Sequence, residues 1–404
     1  MMDTLMELLD KRYDQMIAIR RHLHQHPELS FQEFKTAAYI GDYYQNLGIS
    51  VRRNVGGNGV VARIKGNKKG KTVALRADFD ALPIQDQKDV PYKSTVPGVM
   101  HACGHDGHTA TLLVLAKAIF ELKEQLAGEY VFIHQHAEES SPGGAKAMIE
   151  DGCLNDVDVI FGTHLWSTVP VHSILYRSGP IMAAADRFEL TIKGSGGHGA
   201  QPHKTKDSLL VAAQIVVLFQ QIVSRRIDPL DSAVISVGSF IADNAFNVIG
   251  DQCKLTGTVR TFNRELQQLI QEEMEHIIRG ICLASGCEYT FNYEIGYPAV
   301  INSTNQTDYI KEIANELLDV DSSVEITPQM GGEDFAYYLQ HVPGCFFFTG
   351  AKPEGVEIAY PHHHPRFDIN EKAMLVAAKV LGKAAVNYHF DYTHHEKHVN
   401  ESNV

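Results

Sequence analysis

Four short stretches concentrate residue types that ligate metals or move protons. The first, MHACGHDGH at 100–108, sets a cysteine and a histidine two apart in a loop leading into a helix, with glycines that let the backbone turn sharply. A thiolate and an imidazole so placed suit a metal, although a buried cysteine beside helix-capping polar residues explains Cys-Gly-His equally well. The second, VFIHQHAEE at 131–139, is an apolar strand ending in two adjacent carboxylates. Such a pair can divide labour, one ligating a metal and the other serving as general base. A solvated loop is the commoner fate of a Glu-Glu pair, and its place at the end of a core strand is what favours chemistry. The third, FGTHLW at 161–166, is a strand ending in a histidine beside the only tryptophan, where a hydrogen-bonded core histidine is the plainer reading. The fourth, PHHHP at 361–365, presents three histidines rigidly between prolines, or is a surface run.

These stretches need a scaffold that gathers strand ends. Ser30 and Glu33 in SFQE read as a capping box opening a helix to Asn46. Strands are expected at 59–64, 72–77, 130–134 and 157–163, a helix at 108–124, and a hairpin turn at KGNKKGK, 65–71. This alternation predicts a three-layer α/β domain with a mainly parallel sheet, whose ligands collect at the C-terminal strand ends. Near residue 186 the pattern becomes strand 187–193, helix 206–227, strands 233–240 and 252–262, helix 264–285 and strand 288–293. That is the βαββαβ unit of a ferredoxin-like sandwich. The βα style then resumes with a helix near 307–318, a strand at 344–348 and a helix at 370–387. A small domain, 186–297, is therefore expected as an insertion into a discontinuous domain of 1–185 and 298–390, followed by a disordered tail, 391–404. Cys, His, Glu, His and His at sheet ends of one domain fit two metal ions better than one, and a thiolate can bridge them.

The chain of 404 residues carries 36 Lys and Arg against 49 Asp and Glu, a net charge of -13. Such a surface repels phosphate backbones and anionic lipid. No run reaches the ~18–20 continuous apolar residues of a membrane span. The first residues are acidic where a secretory signal is basic. The six cysteines lack the spacing of a disulfide framework. The expectation is a cytoplasmic protein with neither nucleic acid nor membrane as partner.

The motifs RADFDALP (76–83), MHACGHDGHTA (100–110), HAEE (136–139), THLW (163–166), GSGGHGAQPH (194–203), NVIGD (247–251), GTVRTF (257–262), GGEDF (331–335) and HHPRF (363–367) follow one another along the chain. In this order the sequence resembles the aminoacylase/carboxypeptidase family of dinuclear metallohydrolases, in the branch of hippurate hydrolases and indole-acetyl-amino-acid amidohydrolases, from about residue 12 to 388. The resemblance implies a zinc-peptidase-like catalytic α/β domain with an inserted lid or dimerisation domain, and a homodimer or higher homo-oligomer. It implies two divalent metal ions per subunit, from among zinc, manganese, cobalt and nickel. Cys103 matches the bridging ligand, and His105, Glu139, His164 and His363 complete the two shells. His363 is chosen over its neighbours because the family pattern is His-x-Pro. Glu138 matches the general base and Asp80 a carboxylate that orients a ligand. In the small domain, His198 matches the histidine that polarises the scissile carbonyl, and Asn247 and Arg260 match residues that bind the substrate's carboxylate. Three positions differ from the family pattern: Asp78 stands where many relatives outside this branch have histidine, and His136 and Gly250 stand where the branch usually has proline.

The activity so implied is hydrolysis of a small N-acyl amino acid, such as an N-acetyl or benzoyl derivative, to a carboxylic acid and a free amino acid. A dipeptidase or carboxypeptidase is the nearest alternative, since a peptide is also an N-acyl amino acid. A non-catalytic metal-binding protein is the third, opposed by the presence of Glu138 beside all five ligand positions.

Overall fold

The computed structural model describes residues 1–318 and 322–401. It divides into two compact units, Met1–Ile181 with Val300–Thr327 and Asp334–Val404, and Met182–Ala299 with Pro328–Glu333.

The first unit is built on an eight-stranded sheet. Its central strands Ala127–Gln135, Lys68–Asp78, Val159–Trp166 and Gly344–Gly350 run parallel. Ser50–Val55 and Gly59–Lys65 flank them on one side, Ile174–Tyr176 and Ser323–Glu325 on the other. Side chains alternate across the sheet, as the strand period of two requires. Val73, Leu75, Phe132, Phe161 and Phe347 join one core with helices Met2–Lys11, Tyr13–Gln25, His105–Leu122 and Lys372–Glu401. Phe346 belongs to the opposite face, where its ring meets that of Phe335 at 4.8 Å. Helix His105–Leu122 is buried along nearly its whole length, so it shows no polar stripe.

Three expectations are corrected by the structure. Ser30 and Glu33 do not form a capping box. Helix Phe34–Asn46 is capped instead by the Glu28 carboxylate, which accepts from the amides of Lys35 at 3.2 Å and Thr36 at 2.8 Å. Phe31, at φ +66°, turns the chain so that Ser30 and Glu33 point to other partners. Residues 65–71 are not a hairpin, because Ala127–Gln135 lies between the two strands they join, and Lys68 already pairs with Ala127. The last helix, Lys372–Glu401, runs beyond the expected 387, and residues 402–404 of the expected tail lie outside the described residues.

The second unit holds a four-stranded antiparallel sheet in the order Val234–Ile241, Gln252–Thr261, Ala184–Lys193, Glu288–Tyr297, the ferredoxin-like arrangement. Helices Ser208–Gln221 and Arg264–Ser285 share its core and start on side-chain caps from Asp207 and Asn263. Ser208–Arg226 has the length and mean hydropathy (1.5) of a membrane span, yet Val211, Ala212, Ile215 and Phe219 are buried in this core.

His134, fully buried in its strand, is hydrogen-bonded through Nε2 to the Tyr44 hydroxyl at 2.8 Å. Burial pushes its pKa down to about 3. An unfolded histidine takes up its proton near ~6.5. Between these values the unfolded chain binds more protons, so stability is lost as pH falls through that window. The urea midpoint should therefore drop between pH 7 and pH 5. His134→Gln, which can still accept from Tyr44 but does not titrate, should drop less; an equal drop would exonerate His134.

Candidate metal centre

The parallel strands of the first unit deliver their C-terminal ends to one place. Lys68–Asp78 leads to Asp78 and Asp80, Val159–Trp166 carries His164, and Ala127–Gln135 runs out through Ala137, at φ +53°, to Glu138 and Glu139. Helix His105–Leu122 starts at the same edge, entered through Gly104 at φ +96°, a left-handed turn that suits glycine. The loop carrying His363 is tied to it by the His363 amide, which donates to the Ala102 carbonyl at 2.8 Å.

Cys103 Sγ lies 3.3 Å from His164 Nε2. The other nitrogen of His164, Nδ1, donates to the Leu165 carbonyl at 3.0 Å, which fixes the tautomer and leaves Nε2 with a lone pair that could ligate. His105 is arranged alike: Nδ1 donates to Asp80, with the carbonyl at 3.0 Å and Oδ1 at 3.1 Å. Its Nε2 makes no hydrogen bond among the described residues, and stands 3.7 Å from Asp78, 3.9 Å from Glu138 and 3.8 Å from Glu139 carboxylate oxygens. His363 Nε2 is 3.2 Å from Glu139 Oε1. Donor groups with their ligand atoms within 4.8 Å of one another include Asp78 with His105 and His108, His105 with Glu138 and Glu139, and two built on Cys103, one with His105 and His164 and one with Glu139 and His363. The last two share the sulfur.

The donor set fits divalent cations. Thiolate, imidazole and carboxylate together suit zinc and its first-row neighbours. Burial, with Glu139 and Glu138 alongside, pushes the Cys103 thiol well above its usual range. Against burial, which lowers it, Asp78 and Asp80 push His105 up to about 10. The pocket thus holds an excess of negative charge, which a cation offsets while making Cys103 a thiolate.

Three nearby histidines are held by hydrogen bonds, whereas His101, buried in the same loop as Cys103, has neither ring nitrogen hydrogen-bonded among the described residues. His108 lies 2.6 Å from Asp78 through Nδ1 and accepts from the Leu165 amide at 2.9 Å through Nε2, so it supports the site without a free ligand atom. His362 Nε2 meets the Leu165 carbonyl at 3.0 Å, and His364 accepts from the Arg366 amide and stacks on Tyr360. Of the three successive histidines, His363 is the one beside Glu139.

Asp80 was expected from the sequence, but its partners and several further supporting residues were not. Asp80 Oδ2 accepts from the Glu139 amide at 2.9 Å and from the Ser30 hydroxyl at 2.7 Å. Arg76 binds Asp78 at 2.7 Å and Asp334 at 2.9 Å, and Gln135 also reaches Asp334. The available signal was a polar side chain, Arg76 or Gln135, at the buried C-terminal end of a strand.

His198, Asn247 and Arg260 belong to the second unit. His198 lies on a two-stranded ribbon opposite Val248, and the Gly199 amide donates to the Asn247 carbonyl at 2.8 Å. His198 is exposed, its Nδ1 accepting from the Ala200 amide at 3.0 Å. Arg260, on strand Gln252–Thr261, bonds the Thr258 hydroxyl and the Val259 carbonyl.

The chain is 60% identical over 381 residues to YhaA of Bacillus subtilis (strain 168), covering 94% of this chain and 96% of that one. It is 47% identical over 300 residues to the N-acyl-L-amino acid amidohydrolase of Geobacillus stearothermophilus, covering 74% and 81%. Among solved structures it resembles the Bacillus subtilis YXEP protein, described as a dinuclear metal binding peptidase, with a TM-score of 0.81 and 36% identity over 94% of this chain and 99% of that one. The model of peptidase family M20/M25/M40 matches residues 74–387, a span that takes in every segment gathered at the strand ends, and this chain belongs to that family.

Proposed function

We propose that the protein is a hydrolase that cleaves N-acyl amino acids to a carboxylic acid and a free amino acid, with two divalent cations in the first unit. The observation that carries this reading is the sharing of Cys103 by two donor groups, with the Glu138 carboxylate beside them. Cys103 would bridge, with His105, Glu139, His164 and His363 as the remaining ligands. Such ions supply Lewis acidity, which lowers the pKa of a water and polarises an amide carbonyl.

The chain's own residues do the rest. Glu138, 7% exposed, takes the proton of the attacking water and returns it to the departing amine. Asp80 holds His105 in the tautomer whose Nε2 would be available to an ion, and accepts from the Glu139 amide. His198 donates to the developing oxyanion. Arg260 and Asn247 hold the substrate's carboxylate, a role for which the planar guanidinium suits. The mixed ligand set admits zinc, manganese, cobalt or nickel. The same reading makes the protein cytoplasmic, in keeping with six free, buried cysteines, and a homodimer. The edge strand Val234–Ile241, with Phe240 and Ile241 exposed, supports pairing with a second copy. Membership of a peptidase family keeps a dipeptidase or carboxypeptidase as the second reading.

Hydrolysis of N-acetyl-L-methionine and N-benzoylglycine, compared with glycyl-L-leucine, decides between the two. Faster cleavage of the N-acyl compounds is expected, and preference for the dipeptide would reverse the assignment. Glu138→Gln should keep both metals and the fold while losing ~10²-fold or more of kcat; wild-type turnover in that variant would remove Glu138 as the base.

Metal analysis tests the ligand set separately. The wild-type protein should hold two ions per chain and lose activity on dialysis against a chelator. Cys103→Ala should lower the stoichiometry, whereas alanine at Cys153 or Cys345 should not. Unchanged metal content in Cys103→Ala would exclude a bridging thiolate.

A further inference from the structure

The segment between helices Tyr13–Gln25 and Phe34–Asn46 touches the ends of both strands that carry the acidic residues of the site. The Glu28 carbonyl accepts from the Ala81 amide at 2.9 Å, and Leu29 bridges Ala81 in parallel. The Ser30 hydroxyl donates to Asp80 Oδ2 at 2.7 Å. Glu33, fully buried, accepts from the Ala137 amide through Oε1 and from Asn58 Nδ2 through Oε2, both at 2.9 Å. Ala137 is the residue before Glu138, and its φ of +53° is a conformation that a residue with a Cβ seldom adopts unaided. Strand Ala127–Gln135 has already ended there, so a side chain takes the place of a strand partner for this amide.

We propose that Glu33 is a positioning residue for the hydrolysis: by holding the Ala137 amide it fixes the left-handed turn that aims the Glu138 carboxylate. This inference rests on the reading of Glu138 as general base. Catalysis is sensitive to such aim, since a displacement of ~1 Å at a reacting group can cost ~10²-fold in rate. Burial pushes the Glu33 carboxyl up to about 7, while its bonds from Asn58 and Ala137 pull it down. The hold on the amide needs an oxygen and not a charge, so glutamine should serve in its place. Aspartate is one methylene too short to reach.

The test measures kcat, KM and metal content on the compound that the wild-type enzyme cleaves fastest in the panel above. Glu33→Ala and Glu33→Asp should lower kcat about tenfold or more, with KM within about twofold and two ions retained, and Glu33→Gln should recover most of kcat. Where the alanine variant fails to fold, the aspartate and glutamine variants decide. Wild-type kcat in Glu33→Asp, a glutamine variant as slow as the aspartate one, or metal loss in step with kcat would each overturn the positioning role. Glu138→Gln run alongside separates the two readings. Full activity in it removes the base and the positioning role together, whereas an inactive Glu138→Gln beside fast Glu33 variants removes the positioning role alone.

Discussion

Asp78, Asp80, Glu138 and Glu139 stand at the ends of neighbouring strands with little water to share. Carboxylates this close in a low-dielectric pocket cannot all stay ionised unless positive charge or donors are built in beside them. The first unit meets that demand from several directions. Arg76 lies between Asp78 and Asp334, nearly unexposed. Arg20, wholly buried, pairs with Asp106 and Asp368 at 2.8 Å each, and its guanidinium sits 4.7 Å from the Tyr92 ring centre. Because Asp106 follows His105, that pair also pins the first turn of the helix that starts at the site. Removing one partner of a buried pair typically costs ~3–5 kcal/mol, so Arg76 holds Asp78 directly and Arg20 holds the helix that bears His105.

The same donors also set direction. Leu165 is a junction: its amide goes to His108, and its carbonyl meets both His164 and His362. A line of hydrogen bonds therefore runs from Asp78 through His108 and the Leu165 backbone to His164. Asp80 serves His105, the Glu139 amide and Ser30 at once. His105 and His164 each have Nδ1 committed to an acceptor, which fixes the tautomer and the ring orientation that present Nε2. Asp78 accepts from Arg76 and lies within hydrogen-bond distance of His108, so one carboxylate ties the strand end to the helix that starts at the site.

The second unit solves a different problem. Its buried carboxylate, Asp186, accepts from Gln267 at 2.8 Å, the Tyr293 hydroxyl at 2.7 Å and the Gly296 amide at 2.9 Å. These bonds join strand Ala184–Lys193 to helix Arg264–Ser285 and to strand Glu288–Tyr297. On that tied sandwich the ribbon bearing His198 and Asn247 is exposed, and a Cβ at Gly199 would come within 2.9 Å of the Asn247 carbonyl oxygen. Glycine is what permits the two short strands to approach.

Much of this was legible along the chain, because the signals are local. Alternating and 3.6-residue patterns mark the central strands and the helices, and adjacency alone marks Cys-x-His, Glu-Glu and the histidine run as places where chemistry could occur. The parallel sheet and the ferredoxin-like unit follow from the order of those elements. Contacts between distant segments were not legible. Ser30 and Glu33 carry the pattern of a helix cap, yet a left-handed Phe31 hands capping to Glu28 and sends them to Asp80 and Ala137. Residues 65–71 have the composition of a hairpin, but strand order is settled by which apolar edges bury each other, and Ala127–Gln135 comes between. His105 and His108 look alike in sequence; they differ because one imidazole keeps a nitrogen free while the other spends both on Asp78 and Leu165. Residue type and spacing determine which groups can react. Which nitrogen, carboxylate or amide remains available depends on partners tens to hundreds of residues away, and only the folded chain brings those together.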